Sequence, residues 1–428
     1  MSLSTIKNNN VAVIGAGIIG VNCAAELQKL GFNVTLLDKE NIGEGCSKGN
    51  AGHFATEQVF PLAEANLLWQ LPKLLLDPLG PVRLSPMYLP QALPWFIKFI
   101  TNMFPSKRKQ NGEALKSLNK HAIDYYKPLL KAANAEYLLT TNGSLLTFED
   151  SPLTVVEKQL KHYSDAGIPV KLLNRNQVLA LEPNLSHKIQ HALYFTDVAH
   201  TADPQQVCLA IARYAQSLGC QYRQFSVNHI TYKHGNNASV ELTSDNETLT
   251  FDQVIVATGA WSKTLLKQLD YKLPLEVERG YSLNLANNIK NSELTRPVAS
   301  AERRFIMTPM AHGLRLAGTV EFAGLKKKAN MQRADMLYQH AEQMLDNLPS
   351  FNANEASEDQ RWLGFRPSLP DSLPVIGRAP QHNNIYFALG HQHLGLTLGA
   401  ITGKLIGQVV TGSPTDIDIS PFSISRFN

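Results

Sequence analysis

The chain has 428 residues, 44% of them hydrophobic, and a formal net charge of +4. Such a length buries a large core and fits two domains better than one. The charge is small and the lysines are scattered; the basic runs at 107–109 and 326–328 lack interleaved aromatics and read as solvated faces, which excludes a nucleic-acid surface.

Cys23, Cys46, Cys208 and Cys220 lie far apart and form no CxxC pair or metal-ligand cluster, which predicts a reducing compartment. The N-terminal MSLSTIKNNN holds no apolar export segment, and no run of about eighteen apolar residues occurs. The expectation is a cytoplasmic protein with no spanning helix.

The first element is VAVIGAGIIGVNCAAELQKLGFNVTLLD, residues 11–38: a strand, a three-glycine turn, an amphipathic helix and a second strand closing on an acid. A bound adenine dinucleotide requires that order. Gly15 permits the tight turn, Gly17 admits the pyrophosphate to the backbone, and Gly20 lets helix and strand pack closely, while the first helical N–H groups face the phosphates. Asp38 is placed to accept from the adenosine ribose hydroxyls. This motif alone leaves NAD and FAD both open.

GEGCSKGNAGHFA follows, a Gly/Ser/Asn-rich loop of the kind that covers a cofactor. Residues 62–146 carry helical periodicity broken by prolines, and Asn142-Gly143 turns into the strand SLLTF. Inside this stretch LPWFIKFITNMFPSKRK, residues 93–109, joins Trp95, Phe96, Phe99 and Phe104 to a basic end. Two readings stand: a helix packed on the second domain, or contact with a bilayer interface. Residues 153–166 read as a helix ending at Gly167, followed by the strand PVKLL. Thr201 or Asp203 caps the long helix QQVCLAIARYAQSLG. Short strands come next at 220–227, 229–234, 239–244 and 247–251. The apolar run Val254–Ala257 then suits a parallel strand buried on both faces and returns the chain to the nucleotide domain. A second excursion, 274–356, contains the strands YSLNL, RFIMTPM and GLRLAGTVEF and a helix over 331–345; NNIYFALG, a Gly-rich turn and the helix AITGKLIGQVVTG close the chain.

The fold expected is α/β in two domains. A Rossmann-like dinucleotide domain (1–92, 150–226, 250–272 and 356–428) carries an inserted antiparallel-sheet substrate domain (93–149, 227–249 and 273–355). A closing helix brought back to the first favours a flavoprotein, because its N-terminus near Gly395 stabilises the negative charge a flavin gains on reduction.

IGAGIIG, CSKGNAGH, VIVATGAWS, RWLGFRPSLPDSLPVIGR and ALGHQHLGLTLGAITGKLI, in that order, resemble the D-amino-acid oxidase and glycine oxidase superfamily over nearly the whole chain, and most closely its bacterial D-amino-acid dehydrogenases. The resemblance implies a glycine oxidase-like fold and non-covalent FAD. It implies that Gly15, Ala16, Gly17, Ile18, Ile19 and Gly20 hold the pyrophosphate, and that Asp38, where many relatives carry glutamate, and Lys39 meet the ribose. Ser47, Asn50, Ala51, Gly52 and His53 match the loop beside the flavin, His53 standing where relatives often have glutamine; the backbone of Val227 would meet the adenine. Ala257, Thr258, Gly259 and Trp261 would pass under the dinucleotide, and Gly364, Gly390, His391, Leu394, Gly395, Leu396 and Thr397 would close around the ring. Arg366, in GFRP, matches the arginine that grips the substrate carboxylate, a task a guanidinium fork suits on its own chemistry. Tyr281, His53, His391 and Arg315 are further pocket candidates. His391 and His393 share a strand face but lack a third ligand, so no metal is expected.

The implied reaction moves a hydride from Cα of a D-amino acid, D-proline and hydroxy-D-proline included, to FAD. Electrons then pass to a quinone or electron-transfer protein, with peripheral contact on the cytoplasmic face of the inner membrane if residues 93–109 touch it. Two alternatives stay open: a glycine- or sarcosine-type amine oxidase using oxygen, and an FAD-binding subunit of a larger electron-transfer complex.

Overall fold

The computed structural model describes residues 9–64, 80–233, 238–286 and 293–427. Strand β1 (Asn10–Ile14) buries its last four residues, α1 (Ile18–Lys29) follows the glycine turn, and β2 (Asn33–Asp38) lies parallel to β1, Ile14 opposite Leu37. The chain continues through β3 (His53–Phe54), β4 (Val82–Leu84), α2 (Leu89–Thr101), α3 (Pro105–Asn119), α4 (Ala122–Ala132), β5 (Ser144–Phe148) and α5 (Leu153–Asp165). After β6 (Val170–Asn174), α6 (Arg175–Leu181), β7 (His191–Phe195) and β8 (Ala199–His200) comes α7 (Pro204–Ser217), capped by the Asp203 carboxylate, which accepts from the Gln206 N–H at 2.9 Å. Then come β9 (Gln221–Gln224), β10 (His229–Lys233), β11 (Ser239–Thr243), β12 (Thr248–Phe251), β13 (Gln253–Val256), α8 (Ser262–Gln268) and β14 (Glu276–Ala286). The series ends with β15 (Val298–Ser300), β16 (Phe305–Met310), β17 (Gly313–Phe322), α9 (Gln332–Met344), β18 (Arg361–Ser368), β19 (Val375–Ala379), β20 (His382–Leu389) and α10 (Gly395–Thr411).

Two sheets organise these elements. The first has the order β19-β20-β13-β1-β2-β9 and is parallel except where β19 runs against β20. Val254, Ile255 and Val256 sit between β1 and β20 with cores on both faces, which is why that run is continuously apolar. The second sheet has the order β18-β14-β17-β16-β15-β5-β7-β6, with β4 beside β17. It is antiparallel apart from the β15–β5 and β17–β4 pairs. Helix α10 lies directly on α1: a Cβ at Gly403 would stand 2.6 Å from the Asn22 carbonyl oxygen, and one at Gly407 2.8 Å from Glu26 Cγ. That contact aims the N-terminus of α10 at the junction of the two sheets.

Sheet membership departs from the expected residue ranges. β4, β6, β7 and β18, expected in the nucleotide domain, belong to the second sheet; alternating apolar residues specify a strand but not its partner. Conversely, α3 and α4 put Leu115, Leu118, Tyr126 and Leu130 into the core around α1 and α10, and β10–β12 form a separate small sheet packed on the other nucleotide-domain core. The helical reading of 62–146 falls partly on 65–79, outside the described residues. Among the described residues no helix is long and apolar enough to cross a membrane.

Candidate active site

A cavity of about 400 Å³ opens where the two sheets meet. Its walls bring together Ile18, Ser47, Asn50, Ala51, His53, Tyr281, Gly364, Arg366, Gly395 and Leu396, residues drawn from the β1–α1 turn, the 46–58 loop, β14, β18 and the start of α10.

The dinucleotide end is built by close backbone approach. Gly15 has φ +106°, and a Cβ there would stand 2.4 Å from the Ala257 carbonyl oxygen; a Cβ at Gly20 would stand 1.7 Å from that of Gly15. A Cβ at Gly17 would meet Ser47 Oγ at an ordinary contact distance of 3.5 Å, and that hydroxyl accepts from the Ile18 N–H at 2.9 Å. Asp38, at the end of β2, accepts from the Ala16 N–H at 2.6 Å and the Glu40 N–H at 3.0 Å, which fixes the turn. Ile19 continues the first helical turn. Lys39 Nζ lies 4.4 Å over the ring of Trp261, which is 36% exposed beyond the β13 strand. Thr258 Oγ1 is 3.0 Å from Ser262 Oγ, and Gly259 has φ +53° and nothing within reach of an added Cβ. Val227 is half-buried against the core beneath β10–β12. Opposite, the Ala55 N–H donates to Thr397 Oγ1 at 2.9 Å, tying the loop after β3 to α10, while Leu394 is buried and Gly390 (φ +80°) packs against Leu369. Gly52, with φ +69°, presents its carbonyl to the Thr201 N–H, and Asn50 Oδ1 accepts from the Gly52 N–H.

At the other end Arg366 extends across Gly280, whose missing side chain makes room: a Cβ there would lie 2.3 Å from Arg366 Nη2. Its Nη1 donates one long bond, 3.4 Å, to the Thr319 carbonyl, and among the described residues no carboxylate lies within ion-pair distance. Burial pulls the guanidinium below its ordinary value, opposed by Glu278, which sits directly across on β14. Arginine stays a cation in this setting, so most of its five N–H donors remain available to an occupant of the cavity. Burial also pushes His53 down to about 4 and His393 down to about 4, the latter helped by Arg366 and His53. Both imidazoles are therefore neutral near pH 7.

Three expected pocket side chains are engaged elsewhere. His391 is buried behind the start of α10, its Nε2 3.0 Å from Thr402 Oγ1, and is absent from the cavity wall. Burial alone pushes it down to about 3. The Tyr281 ring lines the cavity, but its hydroxyl donates to Glu321 at 2.7 Å and accepts from the Asn330 N–H, and burial followed by Glu321 pushes it up to about 12. Arg315 pins the cofactor loop, donating to the Lys48 and Asn50 carbonyls at 3.1 and 2.6 Å. In exchange the cavity wall includes His393, Glu57, Cys46, Tyr163 and Trp362, which the sequence reading did not single out as pocket residues. His393 carried a signal, since it stands two residues before the α10 N-terminus.

A protein-family model described as FAD dependent oxidoreductase matches residues 10–409. The chain belongs to this family of FAD-dependent oxidoreductases. A D-amino-acid oxidase of Bradyrhizobium diazoefficiens is 32% identical over 424 residues, 98% of this chain and 99% of its own length. A D-amino acid dehydrogenase of Vibrio atlanticus is 29% identical over 97% of this chain and 99% of its length. Among solved structures, glycine oxidase from Geobacillus kaustophilus superposes with a TM-score of 0.71 at 20% identity, covering 98% of this chain and 99% of that one, and so shares the fold. The cofactor is FAD, and the site fits it: the Gly15–Gly20 cradle would be filled by side chains at Gly17, and Asp38 stands at the strand end where the ribose of an adenine dinucleotide is met.

Proposed function

We propose that this enzyme is a D-amino-acid dehydrogenase that oxidises the Cα–N bond of D-amino acids, cyclic secondary amines such as D-proline included. The observation that carries the reading is Arg366: a cavity-lining guanidinium with one long protein hydrogen bond and no paired carboxylate among the described residues. The curated relatives named as a D-amino-acid oxidase and a D-amino acid dehydrogenase support the choice of substrate class.

The residues that would hold FAD are Gly15–Gly20, Asp38 and Lys39, Ser47, Asn50–His53, Val227, Ala257–Gly259 and Trp261, and Gly364, Gly390 and Leu394–Thr397. Bound there, FAD supplies the acceptor for the Cα hydride. Arg366 binds the substrate carboxylate through parallel N–H bonds and thereby fixes the orientation of Cα. His53 and His393, being neutral, add no positive charge to the amine's surroundings. The apolar walls from Leu145, Leu146, Phe195 and Phe305 exclude water, which favours the neutral amine that oxidation requires. The product imino acid is hydrolysed by water to a 2-oxo acid and ammonia, or remains a cyclic imine from a secondary amine.

For the acceptor, the outer face of α2 favours a membrane quinone. Trp95 and Phe99 pack inward with Phe322, while Leu93, Ile97 (55% exposed) and Ile100 of α2 are exposed, as are Met87 before it and Phe104 (62% exposed) after it. Lys98, Lys107 and Lys109, exposed in the same stretch of chain, supply the positive charge that an anionic bilayer surface favours. Flotation with vesicles containing anionic lipid should carry the protein upward, and Ile97→Glu with Phe104→Glu should leave it at the bottom. Turnover of a D-amino acid under nitrogen should form the 2-oxo acid with a quinone analogue. Hydrogen peroxide formed in air in stoichiometry with product would instead favour an oxygen-using amine oxidase.

A further inference from the structure

In the loop after β3, Glu57 is only 4% exposed, yet its Oε2 has no hydrogen-bond partner among the described residues, and its Oε1 accepts a long bond from the Gln58 amide, at 3.5 Å. His53 Nε2 lies 3.6 Å from Oε1 and has no hydrogen-bond partner among the described residues. Both residues line the same cavity as Arg366 and His393. A buried polar atom left without a partner carries a desolvation cost, and in a cavity wall an occupant can supply the missing bond.

Resting on the amine-oxidising reading of this cavity, we propose that Glu57 and His53 recognise a hydroxyl group on the substrate, so that hydroxylated α-amino or α-imino acids are preferred over their unhydroxylated counterparts. A hydroxyl both donates and accepts. One such atom satisfies the carboxyl oxygen and the imidazole nitrogen together whichever tautomer His53 holds. An ammonium side chain only donates, and it would also add a cation to a cavity that already holds Arg366, with its own desolvation cost. Burial pushes Glu57 up to about 7 and His53 down to about 4, so the two do not form a charged pair that would close the site to a ligand.

Two measurements test this. The first compares kcat/KM for hydroxy-D-proline with D-proline and for D-serine with D-alanine, in the wild type, Glu57→Leu and Glu57→Gln. The hydroxylated partner should be favoured about tenfold or more in the wild type. The ratio should fall toward one in Glu57→Leu and recover in part in Glu57→Gln, which a general packing defect would not produce. The second uses calorimetry on cyclopentanecarboxylate and 3-hydroxycyclopentanecarboxylate, which offer the carboxylate but no oxidisable amine. Tighter binding of the hydroxylated acid by the wild type supports the proposal even if no amino acid is turned over, a result that would sink the amine-oxidase reading alone. Equal affinity for the two acids, or a substrate ratio unmoved by Glu57→Leu, overturns the hydroxyl site while leaving amine oxidation standing.

Discussion

Gly280→Ala tests the carboxylate clamp without touching the arginine. Gly280 lies within β14 opposite Gly364 of β18, and an added Cβ would stand 2.3 Å from Arg366 Nη2, 2.4 Å from Cζ and 2.9 Å from Nε. Carbon contacts settle at about 3.5 Å, so the guanidinium must withdraw by about 1 Å. The obstruction is the far end of a flexible side chain, not backbone, so the stability cost stays near the low end of overpacking, about 1 kcal/mol. A positioning group displaced by that distance costs about a hundredfold in rate. We expect kcat/KM for a D-amino acid to fall by about that factor and the affinity for a simple carboxylate inhibitor to fall with it. Flavin content and Tm should stay close to wild type. A folded, flavin-replete Gly280→Ala protein with unchanged kcat/KM and inhibitor affinity would refute Arg366 as the carboxylate anchor.

Other expectations concern the cradle and the buried titrating groups. Gly20→Ala places a methyl 1.7 Å from the Gly15 carbonyl oxygen, so α1 must leave β1 and the protein should purify without flavin absorbance. Ser47→Ala strips the Ile18 N–H of its 2.9 Å partner and should lower stability by about 1–2 kcal/mol, read as Tm. His53, His200 and His393 are held near 4 and His391 near 3, each chiefly by burial. The unfolded chain therefore binds more protons than the native one below the ordinary value of 6.5, and the Tm of the cofactor-free protein should fall steadily as pH drops from 6.5 toward 4. Glu57 has the opposite sign. Its rise from 4.5 to about 7 means the wild type loses stability between those values as pH climbs, on the order of 3 kcal/mol, so Glu57→Gln should gain relative to wild type at pH 8.5 compared with pH 5. A difference independent of pH would contradict the burial of an unpaired carboxyl there.

The parts of the fold legible in the sequence carry local signals. The Gly15–Asp38 unit, the doubly buried strand ending at Val256 and the Asp203 cap each depend on residues within a few positions of one another. Sheet partnership does not, and so β6 and β7 landed in the other sheet from the one expected. Strand alternation pointed to His391 together with His393, but Gln392 adopts φ +51° and turns the chain, burying the first imidazole and sending the second to the cavity. Tyr281 loses its hydroxyl to Glu321, forty residues away in the chain, and Glu57 sits in a loop with no period to mark it. In α2 the packed-helix reading of residues 93–109 holds for Trp95 and Phe99, which pack on Phe322, while Ile97 and Ile100 stay exposed.

The most direct test of amine oxidation in this cavity is the flavin absorbance of the purified protein, under nitrogen, after addition of D- and L-enantiomers of the same amino acids, proline and hydroxyproline among them. Rapid bleaching by D-isomers, with the L-isomers inert, is the predicted result. Bleaching by the L-isomers instead, or by no amino acid at all, would contradict the account.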